Sequence, residues 1–450
     1  MRNIFVLAAL LVSVGCAGKE ARLREELARG TGTVQLPAGV VEVSSELVIP
    51  RGAYDLRIEG SPSGTVLRAS GRFRGRAVLR LESSSGVTLA GFAIDGNRTA
   101  LQKPAGLPPA NLPFYRFTEM NGILAEEAYG LRISGVQLRN IAGFAVLVAA
   151  SDDVRIEDVQ VSDSGSLNAR GRNNTTGGIL LEEGTTSFQV LGSTLRNVLG
   201  NGIWTHSLYT AARNADGLIS KNRFENIARD AIQVGHATGV QVTENTGSRI
   251  GYPFERIDVE GGGTPVAIDT AGNVDRTSYT ANHFEEVNGQ CIDLDGFHDG
   301  SVTGNSCTNR GAAEDYPNGH YGIVFGNSNP DMQPDNILIS GNLIDGAKYG
   351  GIFVIGSSNR IEDNRFLRLN LAHCNDAGAK YSCFYYPKEP DLMRSGIYLG
   401  LGAARPAAAR GNVIRGNEVS GYGMKAHCIA AAPGVPLTQN KLERNRCSDQ

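Results

Sequence analysis

The chain has 450 residues, with 43 Lys and Arg against 46 Asp and Glu and a formal net charge of −3. That balance excludes the basic surface of a nucleic-acid binder, and no basic run contradicts it. Gly at 57 and a single Trp suit a turn-rich β protein, and repetition along the chain favours one elongated domain over the two that the length alone would allow.

Met1-Arg-Asn precedes an apolar run from Ile4 to Val14, too short for a stable membrane anchor, so residues 1–16 are expected to be a signal peptide. Gly15-Cys16 at its end resembles a bacterial lipobox, which implies a lipid on Cys16, although Ser13 stands where that pattern has Leu. Plain secretion is the alternative. Export follows in either case, as a periplasmic or outer-membrane lipoprotein or as a secreted protein, and a membrane enters only through that anchor.

Residues 20–70 are expected to form an N-terminal cap and first coil, and residues 71–450 a stack of coils. Val78 to Ile94, Ile123 to Leu138 and Val146 to Val161 are the first coils of that stack. From Gly178 to Leu442 the pattern becomes explicit: a short strand opening on Gly-Ile or Ala-Ile, then an apolar-x-apolar pair, then Asn-x-apolar. Such recurrence without helical periodicity marks a β-solenoid, in which each coil buries its inner face only against its neighbours.

Aligning the coils on Ile179, Ile203, Ile232, Ile268, Ile292, Ile323, Ile352, Ile397 and Ile429 puts residues two apart on one face. The second inward row then reads Leu181, Thr205, Val234, Thr270, Leu294, Phe325, Val354, Leu399. Between them an outward row reads Leu180, Trp204, Gln233, Asp269, Asp293, Val324, Phe353, Tyr398, and one step further on Glu182, His206, Gly235, Ala271, Asp295 also face out. The polar entries cluster in the middle coils, where a groove is expected. Asn222, Asn245, Asn282, Asn305, Asn342, Asn364, Asn417 and Asn440 are expected to form an internal ladder of side-chain amides at a turn.

The segment Leu23 to Ser70, with Leu-Arg-Glu-Glu-Leu-Ala-Arg-Gly, Thr33-Val-Gln-Leu-Pro-Ala-Gly39, Ser44-Ser-Glu-Leu-Val-Ile49 and Thr65-Val-Leu-Arg-Ala-Ser70, resembles the start of the pectate-lyase-3 type of right-handed parallel β-helix. The resemblance covers nearly the whole mature chain. It implies an all-β, single-domain right-handed parallel β-helix with a short N-terminal capping helix. Lyases, hydrolases, epimerases and phage tailspikes share that fold, so it does not choose an activity.

Setting Cys16 aside leaves six cysteines, an even number that suggests three disulfides in an oxidising compartment. The most local pairing is Cys291 with Cys307, Cys374 with Cys383 and Cys428 with Cys447, one of fifteen possible sets.

The strongest chemical constellation is Cys291-Ile-Asp-Leu-Asp-Gly-Phe-His-Asp-Gly300. Asp293 and Asp295 share the outward face about 6–7 Å apart, and Asp269 stacks beside Asp293 at about 4.8 Å from the preceding coil. Carboxyls this close split their pKa values, so one can stay protonated as general acid while another stays ionised. That pairing serves glycoside hydrolysis, with Asp269, Asp293, Asp295 and His298 as candidate catalytic residues.

Calcium on Asp269, Asp293, Asp295 and Asp299 is the competing reading. Pectate-lyase-like enzymes use that metal to neutralise a uronate before a Lys or Arg removes the C5 proton. Arg229 and Arg256 are the nearest candidate bases, and neither falls in an outward row. Polygalacturonase-type hydrolases and mannuronan epimerases each share part of the Asp and His pattern.

Trp204, His206, Gln233, His236, His320, Tyr321 and Tyr398 are candidate substrate-binding residues, aromatic faces being suited to stacking on sugar rings. Groove walls are expected near 97–120, 162–176, 247–264, 308–319 and 370–394, the last carrying Tyr381, Phe384, Tyr385 and Tyr386. The partner expected is a polysaccharide, acidic in character, cleaved by hydrolysis; lyase or epimerase action, or non-catalytic glycan binding or adhesion, are the alternatives.

Overall fold

The computed structural model describes residues 18–103, 106–258, 264–374, 376, 381, 383 and 388–449. The signal segment 1–16, Cys16 and the loop aromatics Phe384, Tyr385 and Tyr386 lie outside them.

Among the described residues forty parallel-paired strands form one continuous sheet wound into a cylinder. Each turn contributes strands to three faces, and each strand pairs with its equivalents in the coils before and after. On the first face the register runs Leu79, Ile123, Val146, Ile179, Ile203, Ile232, Ile268, Ile292, Ile323, Ile352, Ile397, Ile429, which is the expected isoleucine stack. Ile203 to Ile397 in this row are buried, as is the second inward row from Leu181 to Leu399. Fully burying one such side chain is worth roughly 1.5–3 kcal/mol, so every coil is cemented by its neighbours.

The helix over residues 18–27 closes the N-terminal end. Leu23 and Leu27 are buried in the main core, while Glu20 accepts from the Ser44 backbone and hydroxyl and Arg24 donates to the Glu46 and Ser45 carbonyls. A raw cylinder end would leave sheet edge and apolar interior open to water, and this helix covers both.

The amide ladder forms, with one correction. From Asn222 through Asn245, Asn282, Asn305, Asn342, Asn364 and Asn417, each Nδ2 donates to the next Oδ1 at 2.8–3.0 Å. The next member is Asn445 and not Asn440. Asn440 ends a second ladder, accepting from Asn412, whose own Oδ1 accepts the Asn359 backbone N–H. Residues just before ladder members, such as Lys221, Glu244 and Gly304, sit in the left-handed region, and this sharp bend aims the amide inward.

Elsewhere the interior is filled by offsetting large and small residues. Gly247 pairs with both Phe224 and Phe284, and a Cβ there would lie 2.6 Å from the Phe284 ring. Its bare backbone lets those two rings approach to 6.4 Å.

All three expected disulfides are present, Cys291 to Cys307, Cys374 to Cys383 and Cys428 to Cys447, with Cα separations of 6.0, 5.3 and 5.8 Å. The first and last each tie the residue before a stacked Ile to a position two beyond a ladder Asn, stapling a coil.

The outward row departs from expectation. Leu180, Trp204, Gln233, Asp269, Val324, Phe353 and Tyr398 are all buried, because loops from the coil corners lie across this face. Parallel sheets characteristically have both faces covered. The middle of the row keeps a cavity above it.

Candidate functional site

The cavity has a volume of about 550 Å³ and stands over four consecutive strands of the first face. Its floor includes Trp204 and His206 from strand Ile203–His206, Gln233 and His236 from Ile232–Thr238, Ala271 from Val266–Asp275 and Asp295 from Gln290–His298. Strand pairing sets Trp204 beside Gln233 and Gln233 beside Asp269. Asp293 follows in the same row, since Ile268 pairs with Ile292 and Ala271 with Asp295. The expected acidic group is therefore assembled on adjacent strands.

Its hydrogen bonding differs residue by residue. Asp269 is buried and accepts from Gln233 Nε2 at 2.6 Å, and Gln233 Oε1 accepts from Asn201 Nδ2 at 2.6 Å. Asp293 has a buried Oδ1 with no hydrogen-bond partner. Asp295 accepts from the Ser328 backbone N–H at 2.8 Å and from its hydroxyl at 2.5 Å. Burial, then the nearby Asp230 and Asp293, push the Asp269 carboxyl well above its ordinary range, with Arg229 opposing. Asp293 is raised likewise by burial and then by Asp295 and Asp230.

Asp230 was not legible as a site residue. It lies in the turn before the Gln233 strand, buried, accepting from the Val266 N–H at 3.0 Å and facing Arg229 Nε at 3.5 Å. Burial pushes it up to about 6 against the pull of Arg229. Arg229, expected outside the outward rows, does line the cavity from that turn. Arg256 does not line it; its carbonyl accepts the Asn173 N–H in a neighbouring loop.

Several candidate residues are placed elsewhere. Tyr398 is fully buried and packs tilted against Phe353 at 6.3 Å, with burial and Glu389 raising its phenol, so it has no face for a sugar. Trp204 touches the cavity but is packed edge-on by Phe114 at 4.9 Å. His320 and Tyr321 line a separate small cavity beside the Cys291–Cys307 bridge, and burial, then Lys348, lowers His320 to about 4. His298 turns away to Asp299 Oδ2 at 2.7 Å and Asn273 Oδ1 at 3.0 Å, beyond the bend at Gly296, whose φ is 93°.

The four-aspartate calcium set is not gathered. Asp299 accepts from Asn336 and pairs with His298. Among the described residues the acidic and histidine ligand atoms that converge within 4.8 Å are those of Glu182, Glu183 and His206, and these carboxylates already accept backbone N–H groups of the cavity walls.

Those walls come from three loops: Leu107–Leu112 with Phe114, Ser207–Thr210, and the segment carrying Asn329 and Met332. Glu182, fully buried, accepts the Phe114 and Tyr115 N–H groups at 2.7 and 2.8 Å and faces His206 Nδ1 at 3.1 Å. Glu183 accepts the Leu208 N–H at 2.7 Å. Tyr209, exposed at the rim, packs at 4.6 Å on His236. No outward alternation pointed to Tyr209, since it lies in a loop.

The wound parallel sheet, the inward stacks and the amide ladder define a right-handed parallel β-helix. Residues 264–448 match the family model described as the right handed beta helix region. A search of curated proteins finds no match.

Among solved structures, PfbA, a surface adhesin of Streptococcus pneumoniae, superposes with a TM-score of 0.54 at 14% identity over 78% of this chain and 86% of that one. The Agl-KA catalytic domain gives 0.55 at 13% over 97% and 65%. DFA-IIIase from Arthrobacter chlorophenolicus A6 in complex with GF2 gives 0.51 at 14% over 91% and 87%. At these identities the likeness is one of fold. Among the described residues no helix is long and apolar enough to cross a membrane.

Proposed function

We propose that the protein is an exported enzyme that hydrolyses a glycosidic bond in this cavity. One observation carries the reading: Asp269 and Asp293 stack on neighbouring strands, both driven toward the protonated form, next to Asp295, the one of the three that lines the cavity. A protonated carboxyl of the Asp269 and Asp293 pair gives its proton to the leaving glycosidic oxygen. Asp295 takes a proton from the attacking water, whose oxygen bonds to the anomeric carbon as the glycosidic bond breaks. The three disulfides support an oxidising, extracytoplasmic location. The fold likeness to a DFA-IIIase in complex with GF2 is consistent with that reading.

Arg229 favours a second reading, eliminative cleavage of a uronic acid polymer, because it places a permanent cation at the cavity. Its pairing with Asp230 weakens that reading.

Incubation with neutral and uronic glycans, followed by reducing-end release and by the ultraviolet absorbance of unsaturated products, separates the two. Asp293→Asn and Asp295→Asn should each lower hydrolysis by about 10²–10⁴. Full turnover in both variants would remove the aspartates from the chemistry, and saturable binding without any bond cleavage would make the protein a glycan-binding solenoid.

A further inference from the structure

The cavity is closed at both ends of the strand row, and this limits what can enter it. Toward the N-terminus, Phe114 packs on Trp204 at 4.9 Å and on His206 at 5.4 Å, while the wall that carries it is tied to Glu182 one coil back. Leu180, the next outward residue in that direction, is fully covered. Toward the C-terminus, Ser328 seals against Asp295, and Asn329 Nδ2 donates to Tyr209 Oη at 2.9 Å, joining two loops far apart in sequence. Behind them Asn327 is bound to residues 404 and 405 of a further loop, and Val324, Phe353 and Tyr398 are buried.

The floor thus spans the four strands from Trp204 to Asp295, three strand spacings or about 14 Å. A polymer running along the cylinder axis would meet the Phe114 wall at one end and the Tyr209–Asn329 bridge at the other. A cleft that admits the interior of a chain needs both ends open.

Resting on the hydrolase reading above, we infer that the site is a pocket for a chain end or a free oligosaccharide, so that cleavage is exo-type and not internal. Its volume of about 550 Å³ falls within the ~300–1,000 Å³ of small-molecule pockets, which corresponds to roughly two to four sugar units. Tyr209 stands at the rim as the ring on which the first unit outside the cleaved bond rests.

Two measurements test this. On any polymer the protein degrades, one short product should accumulate from the first time point, and viscosity should fall only in step with reducing ends. An early ladder of long fragments with collapsing viscosity would overturn the pocket while leaving hydrolysis intact.

Calorimetric binding of the Asp293→Asn protein to neutral and uronic homo-oligosaccharides of roughly two to eight units reads the same property without chemistry. Affinity should level off by about four units, the capacity expected of a pocket this size. A continued rise to eight would overturn the inference, a plateau with no glycan cleaved by the native protein would sustain the pocket and reject the hydrolase, and no binding to any member would overturn both. In Asn329→Ala, whose bridge to Tyr209 is gone, the plateau should move to longer oligomers; an unchanged plateau would show that the bridge does not close the site.

Discussion

Glu182 and Glu183, consecutive at the end of one strand, hold two wall segments of the cavity between them. The first accepts the Phe114 and Tyr115 N–H groups and the second the Leu208 N–H. Glu183 reaches the second wall because its backbone is in the left-handed region at φ 55°, which breaks the strand alternation and turns its side chain off the row of Glu182.

Glu182→Ala should strip a buried and a part-buried N–H group of their acceptor, at a cost of about 1–3 kcal/mol, and free the 106–117 segment. Limited proteolysis should then cut within that segment first, whereas Glu183→Ala should open the loop around Leu208. Identical cleavage maps for the two variants and the native protein would show that neither carboxylate anchors a wall.

Gln233 is the link between Asn201 and Asp269, accepting from one and donating to the other. Gln233→Leu keeps much of the volume but leaves a buried amide donor and a buried carboxyl oxygen unpaired, so chemical denaturation should show a loss of about 1–3 kcal/mol. Activity should fall as well, because Asp269 loses the donor that orients it. A variant with native stability would mean that solvent replaces both bonds.

Two groups give opposite dependences of stability on acidity. Asp230 has its folded value raised from 3.8 to about 6, so the folded chain binds the proton more tightly and this contribution falls as pH rises from about 4 to 6. His320 is lowered from 6.5 to about 4, so the unfolded chain binds the proton more tightly and stability rises with pH across that interval. Melting temperatures at pH 4, 5 and 6 should therefore climb more steeply for Asp230→Asn than for the native protein and less steeply for His320→Gln. Parallel curves for all three would refute both assignments.

The ladder and the isoleucine stack predict stability effects of different size. Asn305→Ala leaves Asn282 Nδ2 and the Asn282 backbone N–H without the oxygen they share, an expected cost of about 1–3 kcal/mol. Ile268→Asp buries an unpaired charge between Ile232 and Ile292 and should cost several kcal/mol, about 4 or more. Urea unfolding would rank them, and a tolerated Ile268→Asp would contradict the register.

The sequence by itself determined the coil register, the inward rows and the ladder as far as Asn417. Each of these repeats at every coil, so a single strand's alternation is checked by its neighbours. It placed Asp269, Asp293 and Asp295 together for the same reason.

The covering of the outward row was decided only in three dimensions, since loops carry no period and their paths depend on contacts between distant segments, such as Phe114 with Glu182 or Asn329 with Tyr209. That is why Tyr398 is buried instead of offered to a sugar, why Asp230 and Arg229 enter the site from a turn, and why His298 leaves it at the Gly296 bend. Strand periodicity sets which way a side chain points; whether it then meets water, a loop or a carboxylate is a property of the folded chain.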